Sequence, residues 1–519
     1  MSISKNDDPL RTFYERRHPE YHRLAPVWRF LQATYDGGRA WFADNIFKFH
    51  KEGQQEFNDR LNRAYRFNHT RETVDLVQKY LFKAPVSRSE DAPQVVKDFW
   101  ENSTLSNLNI DSLMRMSTAS NSVKGRAAIF VDNNMREGGM TIAEARAAGI
   151  RIYAYLITAT DLLDYAWDEE GDGGLLWVKV REFVRDDKDP IASCGDIIER
   201  VRLWTRKEWI LFEEVESEVD PLKRSKKKQK VIREIDRGEH NLDVVPCVFV
   251  DHNVGDAPYA VPGLIDDIGY LDRAVANYLS NLDAIIQDQT FSQLAMPAQA
   301  VMPGDDEYDA VLSMGTKRVF LFDGAGGKPE YLSPDPKQAQ IILTVIEKII
   351  NEIYHTVGLA GERTKQDNAV GIDNSSGVAK AYDFERVNSL LLSKAQSCEN
   401  AENKLVQLVC KWANIAIPTD KLVQYPLTFD VMRLADELSV GEALGKLAAP
   451  NEVRREQMRQ IVDKLFPRLK KDLREAMEKD IKTWLEGEDL VLNPPSSFGS
   501  KPATSRSRQG SVTAKTPTK

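Results

Sequence analysis

The sequence predicts an α+β protein. Three observations carry that expectation. The N-terminal region has apolar residues at helical spacing, the middle is a block of short β-branched and aromatic runs, and long helical periodicity begins abruptly at Pro262. The chain has 519 residues, enough for several packed layers and more than one domain.

From Leu24 to Leu81, residues Trp28, Leu31, Tyr35, Trp41, Phe47, Phe57, Leu61, Ala64, Phe67, Val74, Val77 and Leu81 recur at three- and four-residue intervals, which predicts helices separated by turns. Pro85 ends the run, because the residue before a proline is pushed out of the helical region. A further helix is expected over Asn109–Val123, then a strand over Ala127–Asp132. Between Arg151 and Val250 the strand candidates are Ile152–Ile157, Leu175–Val180, Arg200–Trp204, Trp209–Glu213, Lys230–Ile235 and Val244–Val250. Turn residues such as Gly171, Gly173, Gly174 and Asp220-Pro221 separate them, so an antiparallel meander is expected.

After Pro262, Leu264, Ile268, Leu271, Val275, Tyr278, Leu282 and Ile285 mark one face of a helix over Gly263–Thr290, ~40 Å long at 1.5 Å per residue. Asp266, Asp267, Asp272, Asp283 and Asp288 fall largely off that stripe. A piece punctuated by Pro and Gly follows, with a strand at Arg318–Phe322. The helix expected next, over Lys337–Val357, carries Ile342, Val345, Ile346, Ile349, Ile350 and Ile353 on a broad face. A polar loop with glycines, Gly358–Ser376, leads to a long helix over Val378–Ala416. Phe384, Val387, Leu391, Cys398, Ala401, Leu405, Leu408 and Trp412 form its heptad-like seam, broken only by Lys394. A strand-like piece near Tyr425–Phe429 and a helical segment over Val440–Leu485 close the ordered part. From Asn493 to Lys519 the chain is rich in Ser, Thr and Pro, with five basic residues and no acidic ones, and is expected to be disordered. There are no internal repeats.

The composition is that of an ordinary soluble protein, 42% hydrophobic and 29% charged, with a formal net charge of -9. A chain that clamped DNA phosphates would be basic in at least one domain, so any DNA contact is expected to be loose. Cys194, Cys247, Cys398 and Cys410 form no CxxC pair and suggest no zinc site. Cys398 and Cys410 read as core thiols in a reduced, cytoplasmic setting. The N-terminus lacks the apolar region of a signal peptide, and no run approaches a bilayer span.

Signs of catalysis are sparse. There is no GxxxxGK[ST], GxSxG, HExxH or GxGxxG. His18 and His22 lie four apart, but Pro19 falls between them, so surface histidines are expected rather than a metal site. Asp251, Asp256, Asp266 and Asp267 allow a magnesium-dependent phosphodiesterase or, more simply, a polar loop leading into a solvated helix face. The basic run Lys223–Lys230 allows a nucleic-acid or partner patch, or a solvated hairpin loop offset by the acids of Glu213–Glu218.

The order of elements from Val244 to Ala416 resembles that of the bacteriophage portal (head-to-tail connector) family. A strand ending Val245-Pro246-Cys247-Val248-Phe249-Val250 leads through a polar loop to Leu264-Ile265-Asp266-Asp267 and a helix bearing Ala276-Asn277-Tyr278. A β excursion, a returning helix, a loop and a long helix opened by Ser376-Gly377-Val378-Ala379 follow. Arg60-Leu61-Asn62-Arg63-Ala64 and Gly125-Arg126-Ala127-Ala128-Ile129-Phe130-Val131-Asp132 add to the likeness, which covers roughly residues 10–480. It lies in the order of elements and not in any catalytic fingerprint.

The resemblance implies a helical and antiparallel-β wing (1–261), a two-helix stem (262–290 and 336–357) and a small α/β clip (291–335). It further implies a tunnel loop (358–376), a long bracing helix with its return (377–439), a helical crown (440–490) and a disordered basic tail (491–519). It implies a homo-oligomeric ring of twelve subunits at a capsid vertex, assembled in the host bacterial cytoplasm. Its partners would be capsid protein, the packaging terminase, a tail adaptor protein and double-stranded DNA in transit. No enzymatic activity, cofactor, metal or membrane is expected. From Pro262 to Thr290 five Asp stand against one Arg, so Asp266, Asp267, Asp272, Asp283 and Asp288 are expected to line an electronegative channel that repels the DNA backbone. Arg363 and Lys365 of the tunnel loop are the candidates for transient phosphate contact. The competing readings are a metal-dependent nuclease and another virion building block, a coat or adaptor protein.

Overall fold

The computed structural model describes residues 8–50, 52–133, 151–217, 229–253, 259, 261–290, 293–297, 319–322, 330–332, 336–358, 377–427, 429, 441, 450–466 and 471–483. It divides into two units, Met1–Phe429 and Asp430–Lys519.

The first unit opens with five helices: α1 (Pro9–Glu15), α2 (Pro19–Asp36), α3 (Arg39–Asn45), α4 (Gln54–Arg63) and α5 (His69–Leu81). Three of them, α1, α2 and α5, start on side-chain caps. Asp8 accepts from the Leu10 amide at 3.0 Å, His18 Nδ1 from Glu20 at 3.2 Å, and Asn68 from Arg71 at 3.0 Å. The His18 ring also stacks on Tyr259 with centroids 3.8 Å apart, so it caps and packs rather than pairing with His22. A two-residue strand β1 (Ser87–Arg88), α6 (Gln94–Glu101) and α7 (Ile110–Lys124) follow. Helices α1 and α6 were not expected from the sequence, being too short to show a period.

The strands are β2 (Arg126–Asn133), β3 (Ile152–Thr158), β4 (Leu162–Trp167), β5 (Leu175–Arg185), β6 (Ile197–Thr205), β7 (Glu208–Ser217), β8 (Gln229–Glu239) and β9 (Cys247–Asp251). Strands β4 to β8 form a five-stranded antiparallel meander in chain order. The expected meander is therefore real but differently bounded. Strands β3 and β9 leave it to flank β2 in a separate antiparallel sheet, ordered β3-β2-β9. Strand β4 was missed because its first four residues are all buried, Asp164 among them, so it has no inside-outside alternation.

Strand β2 divides the core. Ala128 and Phe130 face the meander, joining Tyr165, Val180, Val201 and Trp204. Ile129 and Val131 face the helices, joining Val77, Leu113, Leu391 and Leu405. Lys179 of β5 is fully buried and donates to the carbonyls of Phe13, at 2.6 Å, and of Arg16, which fastens α1 to the meander.

The chain then crosses the C-terminal end of α7. Gly125 caps α7 with φ +82°, and an added Cβ there would lie 1.6 Å from the Val261 carbonyl oxygen. Leu264 N–H donates to Ser122 O at 2.8 Å. That tertiary bond holds 264–267 as a turn, so the next helix, α8, runs Ile268–Thr290 instead of starting at Gly263.

Strands β10 (Gln293–Pro297), β11 (Val319–Phe322) and β12 (Glu330–Leu332) form a small sheet with β10 central, parallel to β11 and antiparallel to β12. Helix α9 (Pro336–Thr356) returns along α8, burying Ile346, Ile350 and Ile353 with Val275 and Leu279. Helix α10 (Gly377–Trp412) lays its seam on α7, β2 and β9, with Val387, Leu391, Cys398, Ala401 and Leu405 buried. Its Trp412 Nε1 donates to Val131 O at 3.0 Å. Val131 lies opposite Pro246, which accepts from the Val131 amide but has no N–H to return, so the indole supplies the missing donor. Strand β13 (Val423–Gln424) pairs antiparallel with β1.

Among the described residues of the second unit, helices α11 (Asn451–Leu465) and α12 (Lys471–Thr483) have Ile461 and Ile481 buried. Among the described residues no helix is long and apolar enough to cross a membrane.

Candidate functional site

The site to test is the α8–α9 pair with its acidic residues. On a helix at 100° per residue, positions 272 and 283 differ by only about 20° in direction. Both carboxylates point at the N-terminal helices. Asp272 is fully buried; it accepts from the Thr70 amide at 3.3 Å and Thr70 Oγ1 at 2.8 Å, and it lies 3.7 Å from Arg66. Burial pushes its carboxyl up from the usual aspartate range, against the pull of Arg66 and Thr70. Asp283 pairs with Arg63 at 3.2 Å.

One turn away on the same side, Ser280 Oγ accepts from Arg60 at 2.9 Å. Arg60 itself is buried, ion-paired to Glu52 at 2.7 Å and bonded to Phe47 O at 2.8 Å. Arg60, Arg63 and Arg66, three residues apart, thus form a clamp along α8. Tyr354 of α9 completes the junction, donating to Glu72 at 2.6 Å and lying 3.1 Å from His69 Nδ1.

For Asp272 this departs from the expected acidic wall. Asp272 cannot line a channel, because it is inside the subunit and matched to Arg66. Asp283 faces Arg63. The sequence showed the excess of acid but not where its cations were. They come from a segment more than 200 residues earlier, and the only local signal was the three-residue spacing of arginines in Arg60-Leu61-Asn62-Arg63-Ala64-Tyr65-Arg66.

The remaining acids behave differently. Asp267 is exposed. Asp266 is half-buried, and desolvation pushes its carboxyl up to about 6 despite a bond from the Gly263 amide. The folded chain therefore keeps a proton on Asp266, between about pH 4 and pH 6, that the unfolded chain has released. Stability should fall as pH rises through that window. Asp266→Asn should remove this part of the slope, as read from urea midpoints across the window; the same slope in both proteins would refute the assignment. The side chain of Asp288 lies outside the described residues, as do Arg363 and Lys365 with the whole 359–376 segment.

The other sequence candidates separate as well. Asp251 is bound by Arg126 through two contacts of 2.6 and 2.9 Å, while Asp256 lies outside the described residues. Of the basic run, residues 223–228 lie outside them too, and Lys230 meets Glu214 at 3.0 Å. Among the described residues no three His, Cys, Asp or Glu side chains are grouped to hold a metal ion. A cleft of about 330 Å³ between the two sheets is lined by Arg126, Trp167, Arg206, Phe249, Asp251 and Lys404. Two of its cations are already matched, Arg126 by Asp251 and Arg206 by Asp172 at 2.5 Å.

No protein-family model matches the chain, and no curated protein matches it. Among solved structures, it is similar to a chain from the neck of an empty gene transfer agent particle (TM-score 0.36, 12% identity), covering 79% of this chain and 89% of that one. It is also similar to a chain from the virion of a native gene transfer agent particle (TM-score 0.39, 8% identity), covering 80% of this chain and 96% of that one.

Proposed function

We propose that the chain is a portal-type subunit, twelve copies of which surround a channel at a capsid vertex. The observation that supports this best is the succession from β9 to α10. An edge strand is followed by two antiparallel helices joined through a three-stranded excursion, and then by a 36-residue helix that braces the β2 sheet. In this reading α8 and α9 are the stem and β10–β12 belong to the clip, which docks the terminase and later the tail adaptor. Capsid protein surrounds the ring, and double-stranded DNA passes through it without being held. The protein is not an enzyme and needs no cofactor. It is assembled in the bacterial cytoplasm and ends in the virion.

The channel lining is proposed for Asp266, Asp267 and Asp288, since Asp272 is buried against Arg66 and Asp283 is paired with Arg63 at the surface. Arg363 and Lys365 remain the proposed transient DNA contacts. Ile341 and Leu343, 64% and 45% exposed, flank the buried stripe of α9 on opposite sides and are apolar surface that neighbouring copies would cover.

Light scattering coupled to size exclusion should give a closed oligomer, and negative-stain images should show rings with a central hole. A monomer at every concentration and salt tried would overturn the proposal. Sheets or shells would favour a coat protein. Digestion of DNA with magnesium or manganese would favour the nuclease reading.

A further inference from the structure

Tyr270 and Arg273, in the first two turns of α8, stand in an exposed cluster of aromatic side chains. The Phe30 ring of α2 stacks on Tyr270 with centroids 4.7 Å apart. The Arg273 guanidinium lies over three aromatic rings, 4.7 Å from the centroid of Phe30, 5.1 Å from Tyr270 and 5.4 Å from Phe47. Phe47, Tyr270 and the neighbouring Phe49 are 58%, 43% and 42% exposed. Large aromatic side chains left open side by side mark a contact surface.

The cluster is held in shape. Asn277 Oδ1 accepts from the Phe47 amide at 2.9 Å, and its Nδ2 donates to Asn45 O at 2.9 Å, which pins the segment after α3 onto α8. Buried Arg60 donates to Phe47 O at 2.8 Å, and its guanidinium lies 4.1 Å from the Phe49 ring centroid. A partner therefore meets side chains already ordered, so docking loses little conformational entropy.

Arg273 differs from the arginines beside it. Arg60, Arg63 and Arg66 meet carboxylates at 2.7, 3.2 and 3.7 Å. Among the described residues Arg273 meets none. Helix α9 carries the complementary pattern. Leu343, 45% exposed, and Glu347 lie one turn apart on the same flank, and exposed Glu347 has no cation within ion-pair reach among the described residues. The two patches are kept apart within one chain. Tyr270 and Arg273 point about 120–180° round α8 from Val275 and Leu279, which face α9.

We propose that this aromatic cage is the docking site for a second copy of the chain, whose Leu343 covers the aromatic surface and whose Glu347 pairs with Arg273. The inference rests on the portal-type reading above and adds the contact that joins one copy to the next. Two unlike patches that cannot meet in one chain are what a heterologous, head-to-tail contact requires. Aromatic side chains around an arginine have the composition of a binding hot spot. The phosphate backbone of duplex DNA, the other anion of that reading, offers nothing apolar to cover them.

Charge reversal with mixing tests the contact. Arg273→Glu alone and Glu347→Lys alone should each weaken association at least about tenfold. An equimolar mixture of the two variants should recover most of that loss, because unlike copies then present opposite charges at every contact. Sedimentation velocity reads both. With wild-type rings present, a variant that assembles as wild type does, or a mixture that stays apart, overturns the docking site and leaves the portal-type reading standing. A wild-type chain that never associates overturns both. Loss of duplex DNA binding in Arg273→Glu with assembly unchanged would assign the cage to nucleic acid, and also overturns the docking site. Should Arg273→Glu fail to fold, Glu347→Gln, a near-isosteric change on an exposed helix flank, reads the same contact: weaker association supports the inference, and unchanged association overturns it.

Discussion

Gly125→Ala should leave no stably folded chain. A methyl at this position would sit 1.6 Å from the Val261 oxygen and 2.6 Å from its carbonyl carbon, and φ is +82°. The left-handed backbone alone costs a non-glycine residue about 1–3 kcal/mol. The overlap is with backbone, so no side chain can swing aside. Either the crossing segment lifts or α7 unwinds at its end, and both break the bonds from Leu264 to Ser122 and from His252 to Gly125, each 2.8 Å. A loss beyond about 4 kcal/mol is expected, a large share of the ~5–15 kcal/mol that keeps a typical domain folded. Gly173→Ala is the control: φ is +67° there, but the methyl would meet open space. That variant should lose only the backbone part. Circular dichroism melts of the two compare them directly, and a Gly125→Ala protein melting within a few degrees of wild type would refute the crossing.

Glu402→Ala should be the most damaging change among the buried ion pairs. Glu402 is fully buried on α10, accepting from Arg88 at 2.6 and 3.3 Å and from Tyr425 Oη at 2.9 Å. Arg88 belongs to β1, which pairs with β13, so this carboxylate ties the two-stranded ribbon to α10. Among the described residues, its removal leaves the guanidinium one ion-pair partner, half-exposed Asp111 at 2.7 Å. Breaking one side of such a pair costs about 3–5 kcal/mol, whereas replacing both sides with apolar groups is often near neutral. Urea unfolding should therefore show a large loss for Glu402→Ala and substantial recovery for Arg88→Met with Glu402→Leu. A single-variant loss below about 1 kcal/mol would mean that water reaches the pair.

Long periodic segments were the readable part of the fold. Helix α9 was expected over Lys337–Val357 and runs Pro336–Thr356; α10 was expected over Val378–Ala416 and runs Gly377–Trp412. Many turns of one apolar stripe leave little freedom about where such a helix lies. Elements of one or two turns, α1 and α6, gave too few repeats to read. The start of α8 was misplaced because a bond to Ser122, far back in sequence, decides it.

The candidate site shows the same limit more sharply. The acidic count was visible, but solvent and a distant arginine look alike to a sequence read one helix at a time. Asp272 and Asp283 are spoken for by Arg66 and Arg63, and only the folded chain brings those partners together. Lys394 looked like a flaw in a seam. In the structure it is a buried amine that donates to the Asn121 amide oxygen at 3.0 Å.

The Trp412 indole and Pro246 are joined by an orphaned carbonyl that neither of them owns. Their histories should therefore be linked in one direction. In descendants that keep the proline, position 412 is bound to tryptophan or another long donor. Once position 246 regains an ordinary amide, the tryptophan is released to drift. Aligned relatives should contain proline with a donor, and non-proline with anything, but rarely proline with a plain hydrocarbon.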